Sequence, residues 1–128
     1  MEDENEIKRK MDCLLVVDDD PGMTETLVDI FSDMGYCADA APDGYTAVEM
    51  VKKKTYSLVL IDIKMPGMNG IETFKELKKI SPSVRAIMMT AYSVESLVRE
   101  ALDNGAVAVM YKPLDIRKLK QLIDKMYE

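Results

Sequence analysis

The apolar positions of the chain fall into two kinds of run that alternate. Short, nearly continuous runs read as buried strands: CLLVV at 13–17, SLVLI at 57–61, VRAIMM at 84–89 and AVAVMY at 106–111, with a weaker YCADA at 36–40. Between them, apolar residues recur at helical spacing. Met23, Leu27, Ile30, Phe31 and Met34 mark a first helix stopped by Gly35, and Ala47, Val48 and Val51 a second. Ile71, Phe74 and Leu77 mark a third; Val94, Leu97, Val98, Ala101 and Leu102 a fourth, closed by Asp103-Asn104-Gly105. Ile116, Leu119, Leu122, Ile123 and Met126 mark a fifth.

Strand and helix in alternation with short connections predict an α/β fold: a doubly wound, five-stranded parallel sheet, (βα)5, with the flavodoxin-like strand order 2-1-3-4-5. Ligands of such folds bind at the carboxyl ends of the strands. Asp18, Asp19 and Asp20 follow the first run, Asp62 the third, Thr90 the fourth, and Lys112 and Pro113 the fifth. Any one of these reads as a surface turn, but their gathering at one edge does not. Asp20 before Pro21 is a matched helix cap and first helical residue. Asp18, Asp19 and Asp62 remain as hard oxygen ligands for Mg2+. Lys112 would meet an anion and Thr90 would donate a hydrogen bond to it. Together they describe a phosphoryl site with the Asp62 carboxylate as nucleophile.

The length of 128 residues suits one domain, read as residues 12–128 behind a flexible leader at 1–11. A net charge of −6 argues against direct nucleic-acid binding. No apolar run approaches the roughly 18 residues of a membrane span, and the leader lacks a signal peptide's apolar centre. A cytoplasmic location is therefore expected. Cys13 and Cys37 lie in apolar stretches without a CxxC and are expected as buried free thiols. The chain has no histidine, which removes Ser/His/Asp chemistry and any phosphohistidine of its own. The 11 methionines fall mostly at core positions.

VVDDDP, LVLIDIKMPGMNG, MMTAY and YKP, in that order and spacing, resemble the receiver domain of two-component response regulators over about residues 12 to 127. The resemblance implies a phosphorylation-activated signalling switch and no enzyme beyond self-phosphorylation and slow autodephosphorylation. It implies Mg2+ held by Asp18, Asp19, Asp62 and the backbone carbonyl of Lys64. Asp62 would be the phosphoacceptor, Thr90 the switch hydroxyl and Lys112 the phosphate-binding lysine, aimed by a cis Lys112–Pro113 bond. Lys64 and Tyr92 stand where the family tunes phosphoryl lifetime. Val109 stands where many receivers carry an aromatic switch residue, so that version of the switch is not expected here; Tyr111 faces the same way by strand alternation.

The implied partners are a histidine kinase or histidine phosphotransfer protein, an output domain or effector protein, and a second copy in a phosphorylation-dependent dimer. The fourth helix, fifth strand and fifth helix form the expected output face, and Arg117, Lys118, Lys120 and Lys125 are as well explained by solvation as by docking. The alternatives are an aspartate-nucleophile phosphohydrolase and an inert interaction module of the same fold. The hydrolase would need a second acid where Lys64 stands; a nucleotide-binding switch would need a GxxxxGK[ST] phosphate loop, and none is present. Removing Asp19, and to a lesser degree Asp18, is expected to weaken Mg2+ binding and to relieve like-charge repulsion in the metal-free protein.

Overall fold

The computed structural model describes residues 13–126; the expected leader lies outside them. Five strands and five helices alternate: β1 (Cys13–Val17), α1 (Pro21–Asp33), β2 (Cys37–Ala41), α2 (Gly44–Lys53), β3 (Tyr56–Asp62), α3 (Gly70–Ile80), β4 (Arg85–Thr90), α4 (Glu95–Asp103), β5 (Ala108–Tyr111) and α5 (Ile116–Met126). The sheet is parallel throughout, in the order β2-β1-β3-β4-β5 expected from the sequence.

Strand alternation divides the core between the two faces. Leu15, Val17, Val59, Ile61 and Met88 pack under Val51 of α2, Phe74 and Leu77 of α3 and Ala101 of α4. Leu14, Val16, Leu58, Leu60 and Met89 pack under Leu27 and Phe31 of α1 and Leu119 and Ile123 of α5. Burial on both faces explains why these strands read as continuous apolar runs.

The helix starts follow their capping residues. The Asp20 carboxylate accepts from the amides of Gly22 and Met23, with Pro21 opening α1 as anticipated. Asn69 and Glu72 form a reciprocal capping box at α3. Gly70 is required by close approach: a Cβ there would run into the Asp62 carbonyl oxygen. The Gly70 N–H donates to the Ile63 carbonyl at 2.8 Å and holds the start of α3 against the exit of β3.

Two expectations are corrected. Cys13 and Cys37 are not free thiols; they form a disulfide. They are in-register partners on adjacent strands with Cα atoms 4.5 Å apart, within the span a disulfide bridges. Of the apolar positions that mark the last two helices, Val94, Leu102 and Ile116 are 39%, 46% and 37% exposed. Val94 is the N-cap of α4, Leu102 lies in its last turn and Ile116 opens α5, where side chains escape the sheet. The fifth strand starts at Ala108, later than the apolar run suggests, because Gly105 turns the chain at φ 98° and Val107 bonds Ala86 before regular pairing begins.

Candidate functional site

β1 and β3 are neighbours in the sheet, so the residues that end them are neighbours too. Asp18 directly follows β1 and Asp62 ends β3. Asp18, Asp19 and Asp62 each present a carboxylate oxygen, and these oxygens all lie within 4.8 Å of one another. Asp18 and Asp62 are buried and Asp19 is exposed.

Lys112 follows β5 and reaches back over β4 to this group. Its Nζ donates to Asp18 Oδ2 at 2.7 Å and to Asp62 Oδ2 at 3.1 Å. The Lys112–Pro113 bond is cis, as the resemblance implied. Each carboxylate also accepts a backbone amide: Asp20 N–H donates to Asp18 Oδ1 at 3.0 Å, and Lys64 N–H to Asp62 Oδ1 at 3.2 Å.

Burial pushes the Asp62 carboxyl above the ordinary carboxylate value, and the Asp18 charge adds to that; the Lys112 ammonium and the Lys64 amide offset it only in part. Burial also works against the charge on Lys112, but its bonds to Asp18 and Asp62 outweigh it and hold the ammonium above its ordinary value. The site is therefore a carboxylate cluster kept together by one cation.

Thr90 ends β4 and is buried, yet its hydroxyl turns to its own loop. It donates to the Tyr92 carbonyl at 3.1 Å and accepts from the Tyr92 amide at 3.0 Å. The Tyr92 side chain is exposed, and the Lys64 ammonium lies 5.1 Å from the centre of its ring. Val109 packs half-buried against the α2–α4 side of the core, while Tyr111 is half exposed at the strand's end.

The structure thus brings Asp18, Asp19, Asp62 and Lys112 together and links Lys64 to both Asp62 and Tyr92. It ties Thr90 to Tyr92. Sequence reasoning missed the Lys64 amide, the Thr90–Tyr92 pairing and Gly70. Only Gly70 left a signal, the glycine of Asn69-Gly70 at a helix start.

The family model for the response regulator receiver domain matches residues 14–124. The chain belongs to that family. The receiver is 44% identical over 107 residues to the transcriptional regulatory protein ZraR of Klebsiella oxytoca, covering 84% of this chain and 24% of that protein. It is 38% identical over 112 residues to sporulation initiation phosphotransferase F of Bacillus subtilis, covering 88% of this chain and 90% of that one. Among solved structures it is similar to the CheX-CheY-BeF3-Mg2+ complex of Borrelia burgdorferi, with a TM-score of 0.84, 32% identity, and coverage of 91% of this chain and 90% of that one. The chain thus spans about a quarter of the ZraR regulator but nearly the whole of the sporulation protein. No helix among the described residues is long and apolar enough to cross a membrane.

Proposed function

We propose that this receiver is a phosphorylation-activated switch whose acceptor is Asp62. The observation that carries the reading is the convergence of three carboxylates and the Lys112 ammonium at the ends of adjacent strands. With no histidine in the chain, the donor is a phosphohistidine on a histidine kinase or phosphotransfer protein. Its P–N bond breaks, a P–O bond forms to the Asp62 carboxylate, and the imidazole leaves with a proton from solvent. An all-oxygen donor set of three clustered carboxylates fits Mg2+. Asp18, Asp19 and Asp62, with the Lys64 carbonyl, would hold it. When bound it supplies positive charge against the phosphoryl oxygens.

The chain's own residues then divide the work. Lys112, shared between Asp18 and Asp62, transfers one of its donors to the new phosphoryl group. Thr90 must leave the Tyr92 main chain to donate to the same group, and that releases the loop on which Tyr92 sits. The loop leads into α4. The face formed by α4, β5 and α5 exposes Leu102, Tyr111 and Ile116, and this is where an output domain, effector or second copy would read the change. The Borrelia relative, solved with BeF3 and Mg2+ and with a partner protein, supports both halves of the reading.

The test is labelling with acetyl phosphate and Mg2+, read by intact mass. The parent should gain one phosphoryl group. Asp62→Asn should gain none while keeping its circular dichroism, because the amide lacks the attacking oxyanion. Undiminished labelling of that variant would place the acceptor elsewhere.

The label should also last. Lys64, two residues after Asp62, and Tyr92, two after Thr90, would flank the path of a hydrolytic water, and the Lys64 ammonium lies 5.1 Å from the Tyr92 ring centre. Lys64→Asn and Tyr92→Ala should each speed decay of the purified phosphoprotein severalfold. Decay of the parent within seconds, or no change in either variant, would remove the shielding role.

A further inference from the structure

We propose that Cys13 and Cys37 form a reversible redox site in which Cys37 is the sulfur that exchanges with low-molecular-weight thiols and disulfides. The site lies at the end of the sheet opposite Asp62 and does not depend on the phosphoacceptor reading. Cys13 opens β1 and Cys37 opens β2, so the pair joins the sheet's edge strand to its neighbour.

The two sulfurs have different surroundings. Cys13 is buried between Cys37 on one side and Tyr56 on the other. Cys37 is half-buried on the edge strand, and the Lys54 ammonium lies 3.5 Å from its Sγ. Lys54 is held there. Its Nζ donates to Asp39 Oδ2 at 2.9 Å, and the Tyr56 hydroxyl donates to the same oxygen at 2.6 Å. Partial burial works against the Asp39 charge, but those two hydrogen bonds and the Lys54 charge outweigh it, so Asp39 stays anionic and keeps its cation. Asp39 accounts for where Lys54 sits; the consequence for Cys37 is a cation beside its sulfur, and a neighbouring cation favours thiolate over thiol.

The exchange balances in both directions. In the reduced protein the Cys37 thiolate attacks a disulfide RSSR, forming Cys37–S–SR and releasing RS−. The Cys13 thiol gives its proton to solvent and attacks Cys37 Sγ, expelling the second RS−. The protein loses two electrons and RSSR gains them as two thiols. In reverse, RS− attacks Sγ of Cys37, the less buried of the two residues, and the buried Cys13 sulfur leaves. A second RS− then removes the cap, and Cys37 leaves as the thiolate that Lys54 stabilises.

The test uses the whole chain with reduced and oxidised glutathione as the reagents. Excess reduced glutathione should release two thiols per chain, and oxidised glutathione should close them again. Cys13→Ser, given oxidised glutathione, should accumulate one mixed disulfide on Cys37. Cys37→Ser should accept glutathione at Cys13 about tenfold more slowly, because Cys13 is buried. In the Cys13→Ser background, Lys54→Met should slow capping of Cys37 about threefold at pH 7, and Lys54→Arg should restore it. Should Cys13→Ser fail to fold, iodoacetamide on the reduced parent should label Cys37 first. Thiols that never pair, a disulfide that resists reduced glutathione, equal reaction at both cysteines, or indifference to Lys54→Met would each overturn the proposal.

Discussion

Two lysines at opposite ends of the sheet stand almost equally close to an aspartate, 3.1 Å for Lys112–Asp62 and 2.9 Å for Lys54–Asp39, yet the two carboxyls shift in opposite directions. Asp62 is held above the ordinary carboxylate value and Asp39 below it. Proximity of the cation therefore does not decide the matter. Burial is the largest influence at both, but the Asp62 side chain is 9% exposed against 32% for Asp39. Asp62 must also share its lysine with a second buried carboxylate, whereas Asp39 gains a hydroxyl donor from Tyr56. One end concentrates unfavourable charge at the proposed phosphoacceptor. The other has settled its charge already.

The largest effect expected from this contrast is on stability when each lysine is removed. Lys112→Met leaves Asp18 and Asp62 buried together without a cation, and should cost about 3 kcal/mol in Mg2+-free buffer at neutral pH. Lys54→Met breaks a pair that water already screens, with the lysine 44% exposed, and should cost less than about 1 kcal/mol. Urea denaturation of both variants with the disulfide intact gives the two numbers. Equal losses would mean that burial does not separate the two ends.

Acid titration should separate them next. Folding raises the Asp62 value, so the folded state binds that proton more tightly than the unfolded state. Its contribution to stability therefore falls as pH rises from the ordinary carboxylate value through the raised one. Asp39 has the opposite sign: its contribution is present above the ordinary value and is lost as pH falls through the lowered one. The Lys112 contribution is intact across this window, because its raised value is lost only at alkaline pH above that of a free lysine. In EDTA, the melting temperature of Asp62→Asn should gain on the parent as pH rises from about 4. That of Asp39→Asn should fall behind the parent as pH rises toward about 4 from below, and hold a constant deficit above it. Parallel curves for the two variants would refute the opposed shifts.

What the sequence disclosed follows the same division. Strands buried on both faces, such as Leu14–Val17 and Leu58–Ile61, announce themselves as continuous apolar runs, and helix starts announce themselves through Asp20-Pro21. The gathering of Asp18, Asp62 and Lys112 was legible because parallel strands end at one edge, which topology dictates without any knowledge of side chains. The partners of each polar atom were not legible. Thr90 bonding to Tyr92 and Lys64 donating its amide to Asp62 depend on loop conformation, which leaves no periodic trace. The Cys13–Cys37 pairing depends on register between β1 and β2, and YCADA was the weakest run in the chain because Asp39 interrupts its apolar pattern. That interruption belongs to the Lys54 cluster, so the residue that blurred the strand is the one that organises its site.

The smallest effect concerns the two acids that follow β1. The sequence alone suggested that losing either one relieves repulsion in the metal-free protein. The structure separates them: Asp18 is bonded to Lys112 and to the Asp20 amide, so Asp18→Ala removes two hydrogen bonds with the repulsion, whereas Asp19 is exposed and adds charge to the cluster. Asp19→Ala should therefore stabilise the metal-free protein by about 0.5 kcal/mol, the scale of a screened surface interaction. Asp18→Ala should destabilise it. If Asp19 supplies a Mg2+ ligand, the variant must also lose the metal's stabilising effect, which for the parent at ten times the dissociation constant is about 1.4 kcal/mol. Melting curves across a Mg2+ titration read both quantities at once: the Asp19→Ala curve should start slightly above the parent and be overtaken as Mg2+ rises. Lys54→Met should keep the parent's full response to the metal, since its cluster lies at the other end of the sheet. Curves for Asp19→Ala and the parent that rise together would take Asp19 out of the metal site, and a blunted response in Lys54→Met would show that the two ends of the sheet are not independent.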